Sequence, residues 1–183
     1  MTTLRQTPVD RLKTEAIFQD QRVAKTELRS AFYGSLFTRV KDEFWRLVAS
    51  ERAERVLELG CGPGNNLAEA LVRLSGSVRV LLALDYSWES LRQATTGTAS
   101  PRPHSVHYVR ADAGQLCVRS ETVDLAYGLG ILHHLPRPST YQELYRILRP
   151  GGRAIFLEPL LTRWPTLNRW GWLSILEFHR LVN

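Results

Sequence analysis

Val56-Leu57-Glu58-Leu59-Gly60-Cys61-Gly62-Pro63-Gly64-Asn65-Asn66 is the stretch that decides the fold of this chain. It opens as an apolar run of strand type and breaks at three alternate glycines and a proline. It then resumes with helical spacing at Leu67, Ala70, Leu71 and Leu74. A buried strand, a tight glycine turn and a helix N-terminus, in that order, mark the edge where open α/β sheets take up nucleoside ligands.

Working outward, strand one covers residues 55–59 and its helix residues 65–74, with Ser75-Gly76-Ser77 as the stop. Strand two is read at 78–84, ending at Asp85, and is followed by a helix at 87–94 and a loose segment at 95–105. Strand three covers 106–111 and ends at Asp112; after a short polar link, strand four covers 123–127. Its exit loop, 128–135, carries His133 and His134. Thr140-Tyr141-Gln142-Glu143 has the form of a capping box, with Leu144, Ile147 and Leu148 as the buried stripe behind it. Pro150-Gly151-Gly152 stops that helix, and strand five covers 153–158.

Upstream, residues 9–50 have a helical period carried by Phe32, Leu36, Phe37, Val40, Phe44, Leu47 and Val48. This is read as two helices broken near 30–35. Downstream, residues 166–182 read as a helix that is apolar over most of its circumference. Strands alternating with helices predict a doubly wound, Rossmann-like α/β fold with a parallel sheet of about five strands. The expected organisation is a single domain over 1–183: a helical segment at 1–50, a ligand-binding core at 51–160 and a C-terminal helix at 161–183.

Composition narrows the function classes. Of the 24 basic residues only Lys13, Lys25 and Lys41 are lysines, and the arginines are spread singly from Arg5 to Arg180. A formal charge of +6 distributed in this way is a solvated basic surface and lacks the clustered patch of a nucleic-acid groove. Cys61 and Cys117 are too few for a disulfide framework and have no zinc-type spacing, so no metal is expected and a reducing, cytoplasmic setting is. Residues 1–9 carry no apolar signal core, and no stretch approaches the roughly 18 apolar residues of a spanning helix. Trp164, Trp170 and Trp172 allow for peripheral contact with a membrane surface or a partner, against the plainer reading of a helix packed on the sheet.

Three acids carry the chemistry. Glu58 lies before the glycine turn, Asp85 ends strand two and Asp112 ends strand three, so all three fall on the carboxyl edge of the sheet around one crevice. A carboxylate at the end of strand two can accept hydrogen bonds from both hydroxyls of a ribose. The spacing then separates two ligand classes. Gly60, Gly62 and Gly64 read GxGxG, and Asn65 stands where the dinucleotide fingerprint GxGxxG has its last glycine. A second acid after strand three suits an adenine amino group better than a phosphate.

At these residues the sequence resembles the class I S-adenosylmethionine-dependent methyltransferases, and among them the small-molecule subgroup of ubiquinone and menaquinone biosynthesis. The resemblance rests on VLELGCGPGNN, the acid of LALDYS, ADAGQL, VDLAYGLGILHHL and ELYRILRPGGRAIFLEP. It implies S-adenosyl-L-methionine as cofactor and in-line methyl transfer to a small, in some members lipophilic, acceptor. It further implies that Glu58, Gly60, Cys61 and Gly62 line the methionine and ribose side. Asp85 would hold the ribose, Tyr86 would lie against the adenine, Asp112 and Ala113 would read its edge, and Gly128 would meet the methionine ammonium through its backbone. A base is needed only if the acceptor loses a proton; His133 and His134 are the candidates, with Tyr33 behind them. Against these roles, Cys61 reads as a turn filler rather than a nucleophile, Gly64 as a packing glycine as readily as a ligand contact, and one of the two histidines as structural.

The resemblance also sets an expectation about the end of the chain. The family's sheet carries two further strands as an antiparallel pair beside strand five, and residues 160–183 do not read as strands. Strand five is therefore expected to be an apolar edge, covered by the C-terminal helix or by a second copy of the chain, or left bare by truncation. A shortened, non-catalytic module that binds only the cofactor is the alternative function.

Overall fold

A computed structural model describes residues 30–74, 76–97, 105–159 and 173–180. The chain divides into two units, Met1–Phe37 and Thr38–Asn183. Of the first, only the helical backbone from Ser30 is described; all that follows concerns the second.

Helix α1 (Ser30–Ser50) leads into β1 (Arg55–Leu59), α2 (Asn65–Arg73), β2 (Val80–Asp85), α3 (Trp88–Gly97) and β3 (Ser105–Arg110). Then come β4 (Val123–Leu129), a short 3-10 turn (Leu132–His134), α4 (Arg137–Ile147), β5 (Leu148–Pro159) and β6 (Leu173–His179). The six strands form one sheet in the order β3-β2-β1-β4-β5-β6. All neighbours are parallel except β6, which runs antiparallel to β5, pairing Arg153 with His179 through Pro159 with Leu173. The order reverses between β1 and β4, and this is where a doubly wound sheet opens a crevice at its carboxyl edge.

Strand alternation sends consecutive residues to opposite faces. Val56, Leu125, Tyr127, Ile155 and Leu157 join Phe44, Trp45 and Val48 of α1, Leu67 and Ala70 of α2 and Leu91 of α3 in one core. Leu57, Leu59, Ala126, Ala154 and Phe156 face the other way, against Leu144 and Ile147 of α4 and Ala113 and Leu116 of the link before β4. Both faces are covered, which explains the near-continuous apolar runs of β1, β4 and β5.

Three sequence expectations are corrected. Residues 173–179 form a strand rather than part of a helix over 161–183; the rest of that segment, Trp164, Trp170 and Trp172 included, lies outside the described residues. The β5 edge reserved for a helix or a second copy is filled by β6, so the sheet has six described strands, one of the expected antiparallel pair among them. The Thr140–Glu143 capping box is not formed. The helix begins at Arg137, with Pro136 at the N-cap making no side-chain cap bond and proline again in the first turn, as suits residues with no N–H to satisfy. Thr140 is thus buried inside the helix, and Glu143 accepts hydrogen bonds from the Leu116 amide at 2.6 Å and from Arg146. Helix α1 starts at Ser30, and the first of the two helices read upstream, with the approach to the break near 30–35, lies outside the described residues.

Candidate active site

The glycine turn is built by hydrogen bonds to β2. The amides of Gly60 and Cys61 both donate to the Leu84 carbonyl, at 2.8 and 3.0 Å. Gly60, Gly62 and Gly64 all have positive φ, at 71°, 52° and 93°, a region that costs a side-chain-bearing residue roughly 1 kcal/mol or more. Their surroundings differ, and the differences sort their roles. A Cβ on Gly60 would stand 2.5 Å from the Ile131 side chain, so the loop after β4 presses on this turn. A Cβ on Gly64 would lie 3.1 Å from the Ala94 Cα, which makes Gly64 the close-packing point of α2 on α3. A Cβ on Gly62 would meet nothing within 4 Å. The turn is therefore open at its centre and packed at both ends.

Asp85 closes the other side of that opening. Its Oδ2 accepts from the Gly62 amide and its Oδ1 from the Ser87 amide, both at 2.8 Å. Burial raises its pKa, and the amides of Ser87, Gly62 and Tyr86 offset part of that rise. Ser87 in turn caps α3 by accepting from the Ser90 amide at 3.2 Å. Tyr86 is exposed, with the Arg110 guanidinium over its ring at 5.4 Å. Asp112 takes the Gly114 amide at 2.8 Å in a tight turn beside buried Ala113.

Glu58 is buried at 1% exposure, and its described hydrogen bond comes from the Tyr127 hydroxyl at 3.0 Å. Burial pushes its pKa up to about 8; the Tyr127 hydrogen bond pulls down, and the Asp85 charge pushes up. The Phe44–Trp45 pair of α1 holds the phenol in place, with Trp45 edge-on to Tyr127 at 5.6 Å. Burial, followed by the Glu58 and Asp85 charges, pushes the Cys61 thiol up as well, the direction opposite to that of an activated nucleophile.

Across the sheet, Gly128 is squeezed. A Cβ there would sit 2.7 Å from the Leu59 carbonyl and 2.9 Å from both Ile131 and Phe156. The chain then leaves β4 through Gly130, at φ 63°, into the 3-10 turn. Glu158, at the end of β5, organises that turn. Its Oε1 accepts from the amides of Ile131 and Leu132 at 2.8 and 2.9 Å, and its Oε2 contacts His133 Nδ1 at 2.7 Å and accepts from the His133 amide at 3.3 Å. Burial would raise the Glu158 pKa, but the His133 hydrogen bond and the amides of Leu132 and Ile131 outweigh it and hold the group below the usual carboxylate range. The His134 ring packs against that of His133, with centroids 3.9 Å apart.

Sequence reasoning placed the acids and glycines on one edge, and the structure brings Glu58, Gly60, Cys61, Gly62 and Asp85 together there. It missed Tyr127 and Glu158. The signal for Glu158 was faint: a lone acid ending an apolar strand, in the same position as Asp85.

The chain matches the methyltransferase domain family over residues 56–152. It is 33% identical over 118 residues to a malonyl-(acyl-carrier protein) O-methyltransferase of Marinomonas sp. (strain MWYL1), covering 64% of this chain and 42% of that protein. It is 35% identical over 123 residues to a demethylmenaquinone methyltransferase of Protochlamydia amoebophila (strain UWE25), covering 64% and 49%. The solved S-adenosylmethionine dependent methyltransferase of Mesorhizobium loti shares the fold with a TM-score of 0.53 at 26% identity, covering 63% of this chain and 51% of that one. The fold is the one that the S-adenosylmethionine-dependent methyltransferases share. The chain belongs to the methyltransferase domain family, and it spans half or less of the length of these curated relatives.

Proposed function

We propose that the protein binds S-adenosyl-L-methionine at the carboxyl ends of β1, β2 and β3 and directs its methyl group to a small-molecule acceptor. The observation that carries this reading is the coupling of Gly62 to Asp85: an amide–carboxylate bond at 2.8 Å beside a turn whose centre is open. The donor set fits the cofactor. Glu58 is a buried acid and Asp85 a part-buried one, both matched to a cationic ligand, and Asp85 Oδ1 and Oδ2 keep lone pairs for ribose hydroxyls. Tyr86 flanks the adenine, Asp112 and Ala113 read its edge, and Gly60, Cys61 and Gly128 line the methionine side. No described helix is long and apolar enough to cross a membrane, and the acceptor is read as a small molecule rather than a nucleic acid.

When bound, the cofactor supplies an electrophilic methyl group on a sulfonium whose sulfur keeps the bonding pair as the methyl departs. The residues of this chain align the acceptor with that bond, which is where proximity supplies most of the acceleration. For an acceptor that must lose a proton, the base is drawn from His133 and His134 on the turn after β4, whose rings pack against each other.

Calorimetric titration with S-adenosylhomocysteine tests the cofactor site. Saturable binding is expected, weakened at least tenfold in Asp85→Ala with the thermal transition retained. Absence of binding, or equal affinity in Asp85→Ala, sinks the reading. The alternative, a module that binds cofactor without turnover, rested on two missing strands, of which β6 supplies one among the described residues; methyl transfer to any acceptor would remove it.

A further inference from the structure

We propose that Glu158 is a positioning residue that fixes the His133 imidazole with its proton on Nδ1, leaving Nε2 as a proton acceptor at the acceptor site. It follows that the acceptor is methylated at an atom that gives up a proton, such as a hydroxyl or amine, rather than at a thioether, a tertiary amine or an already ionised carboxylate. This rests on the methyltransferase reading above.

The geometry carries the argument. An ionised carboxylate only accepts, so a contact of 2.7 Å from Oε2 to Nδ1 puts the proton on Nδ1. The carboxylate cannot rotate away, because Oε1 is held by the amides of Ile131 and Leu132, and Oε2 also takes the amide of His133. Glu158 is therefore pinned by the same turn that carries the histidine. Its side chain is only 7% exposed, whereas that of His133 keeps 20%. The turn also reaches the ligand side of the sheet, since Ile131 fills the space against Gly60 at the head of the glycine turn. A neutral imidazole oriented through Nδ1 by a buried acid is the arrangement by which a histidine acts as base through its other nitrogen. The acceptor's lone pair would form the new bond to the methyl carbon as the carbon–sulfur bond breaks and leaves its electron pair on sulfur, while the acceptor's proton would pass to Nε2 and on to solvent.

The Glu158→Gln variant separates orientation from scaffolding. Its carbonyl keeps the two short amide donors at the Oε1 position, which leaves the NH2 group facing Nδ1 at the loss of the longer His133 amide bond; the opposite placement would set NH2 against both short N–H donors. Nδ1 must then accept, and the imidazole proton moves to Nε2. Long-range proton–nitrogen spectra of the full chain, labelled at its five histidines and assigned with His133→Gln, report the tautomer directly. The expected result is Nδ1–H in the wild type at alkaline pH and Nε2–H in Glu158→Gln. Wild-type protein with Nε2–H, or Nδ1–H in both, overturns the proposal.

Labelled methyl transfer to phenol, primary amine, carboxylic acid and thioether probes gives the second arm. Transfer to a proton-bearing probe is expected, reduced at least ~100-fold in Glu158→Gln. A thioether or the ionised carboxylate as the sole acceptor, or an undiminished rate in the variant, overturns it. Silence from every probe counts against the methyltransferase reading itself, and the tautomer result stands apart from that outcome.

Discussion

Glu58 and Glu158 are both buried carboxylates on the carboxyl edge of the same sheet, yet their environments drive them in opposite directions. Glu58 is met by a single phenol, and burial dominates, so it holds its proton up to a pH of about 8. Glu158 is met by three backbone amides and an imidazole, and these outweigh burial and keep it ionised. What separates the two is the supply of N–H donors rather than depth. A strand end that opens onto a glycine turn leaves its acid underprovided and suited to a cationic ligand. A strand end that faces a 3-10 turn provides for its acid fully and turns it into scaffold.

The comparison predicts unequal costs. Glu158→Ala strands three amide donors and is expected to lose about 3 kcal/mol or more in urea unfolding, whereas Glu58→Gln at mildly acid pH is expected to stay within about 1 kcal/mol. Equal losses would break the contrast.

The pH dependence comes next in size. Glu58 has a folded pKa raised from 4.5 to about 8, so its contribution to stability is full below 4.5 and is lost as pH rises through about 8. Glu158 has a lowered folded pKa, so its contribution is present at neutral pH and is lost as pH falls through that value. Denaturant unfolding between about pH 5 and pH 8 should therefore show the wild type losing on the order of 1 kcal/mol per pH unit relative to Glu58→Gln. Parallel curves would refute the protonated Glu58.

Smaller still, Tyr127→Phe removes the one phenol donor. It is expected to cost about 1 kcal/mol and to move the alkaline loss to higher pH. Last, binding of the cationic cofactor near neutral pH should release up to one proton from Glu58, read as a calorimetric enthalpy that varies with the buffer's ionisation enthalpy. That variation should vanish in Glu58→Gln.

The parts of this molecule written in local pattern could be read from the chain. The glycine turn, the strand-ending acids and the five parallel strands each announce themselves within about ten residues. What was illegible depends on contacts distant in sequence. Glu158 acts on a turn 25 to 27 residues earlier, and nothing in its immediate neighbours distinguishes it from a strand terminator. The strand at 173–179 was read as helix because Leu173-Ser174-Ile175-Leu176-Glu177-Phe178-His179 is a short apolar run with no decisive period. The pairing with β5 decides it, with Phe178 packing near Phe156 and Tyr141 on one face while Ile175 joins the opposite core. The capping box failed for a different reason: Thr140 and Glu143 have the right spacing, but the prolines ahead of them start the helix a turn earlier.

Arg180, just beyond β6, gives that late strand an unexpected standing. Its backbone exchanges hydrogen bonds with Gly151 and Gly152, and its guanidinium reaches the carbonyls of Tyr145, Arg146 and Leu148 while pairing with Glu121 and lying over the Tyr145 ring. One side chain thereby reaches carbonyls at the C-terminal end of α4 and the start of β5 and ties them to the last described strand. The sheet's outermost strand is clasped rather than loose. Its amides should exchange with solvent in step with β5 and the end of α4, as one cooperative unit, instead of fraying ahead of them.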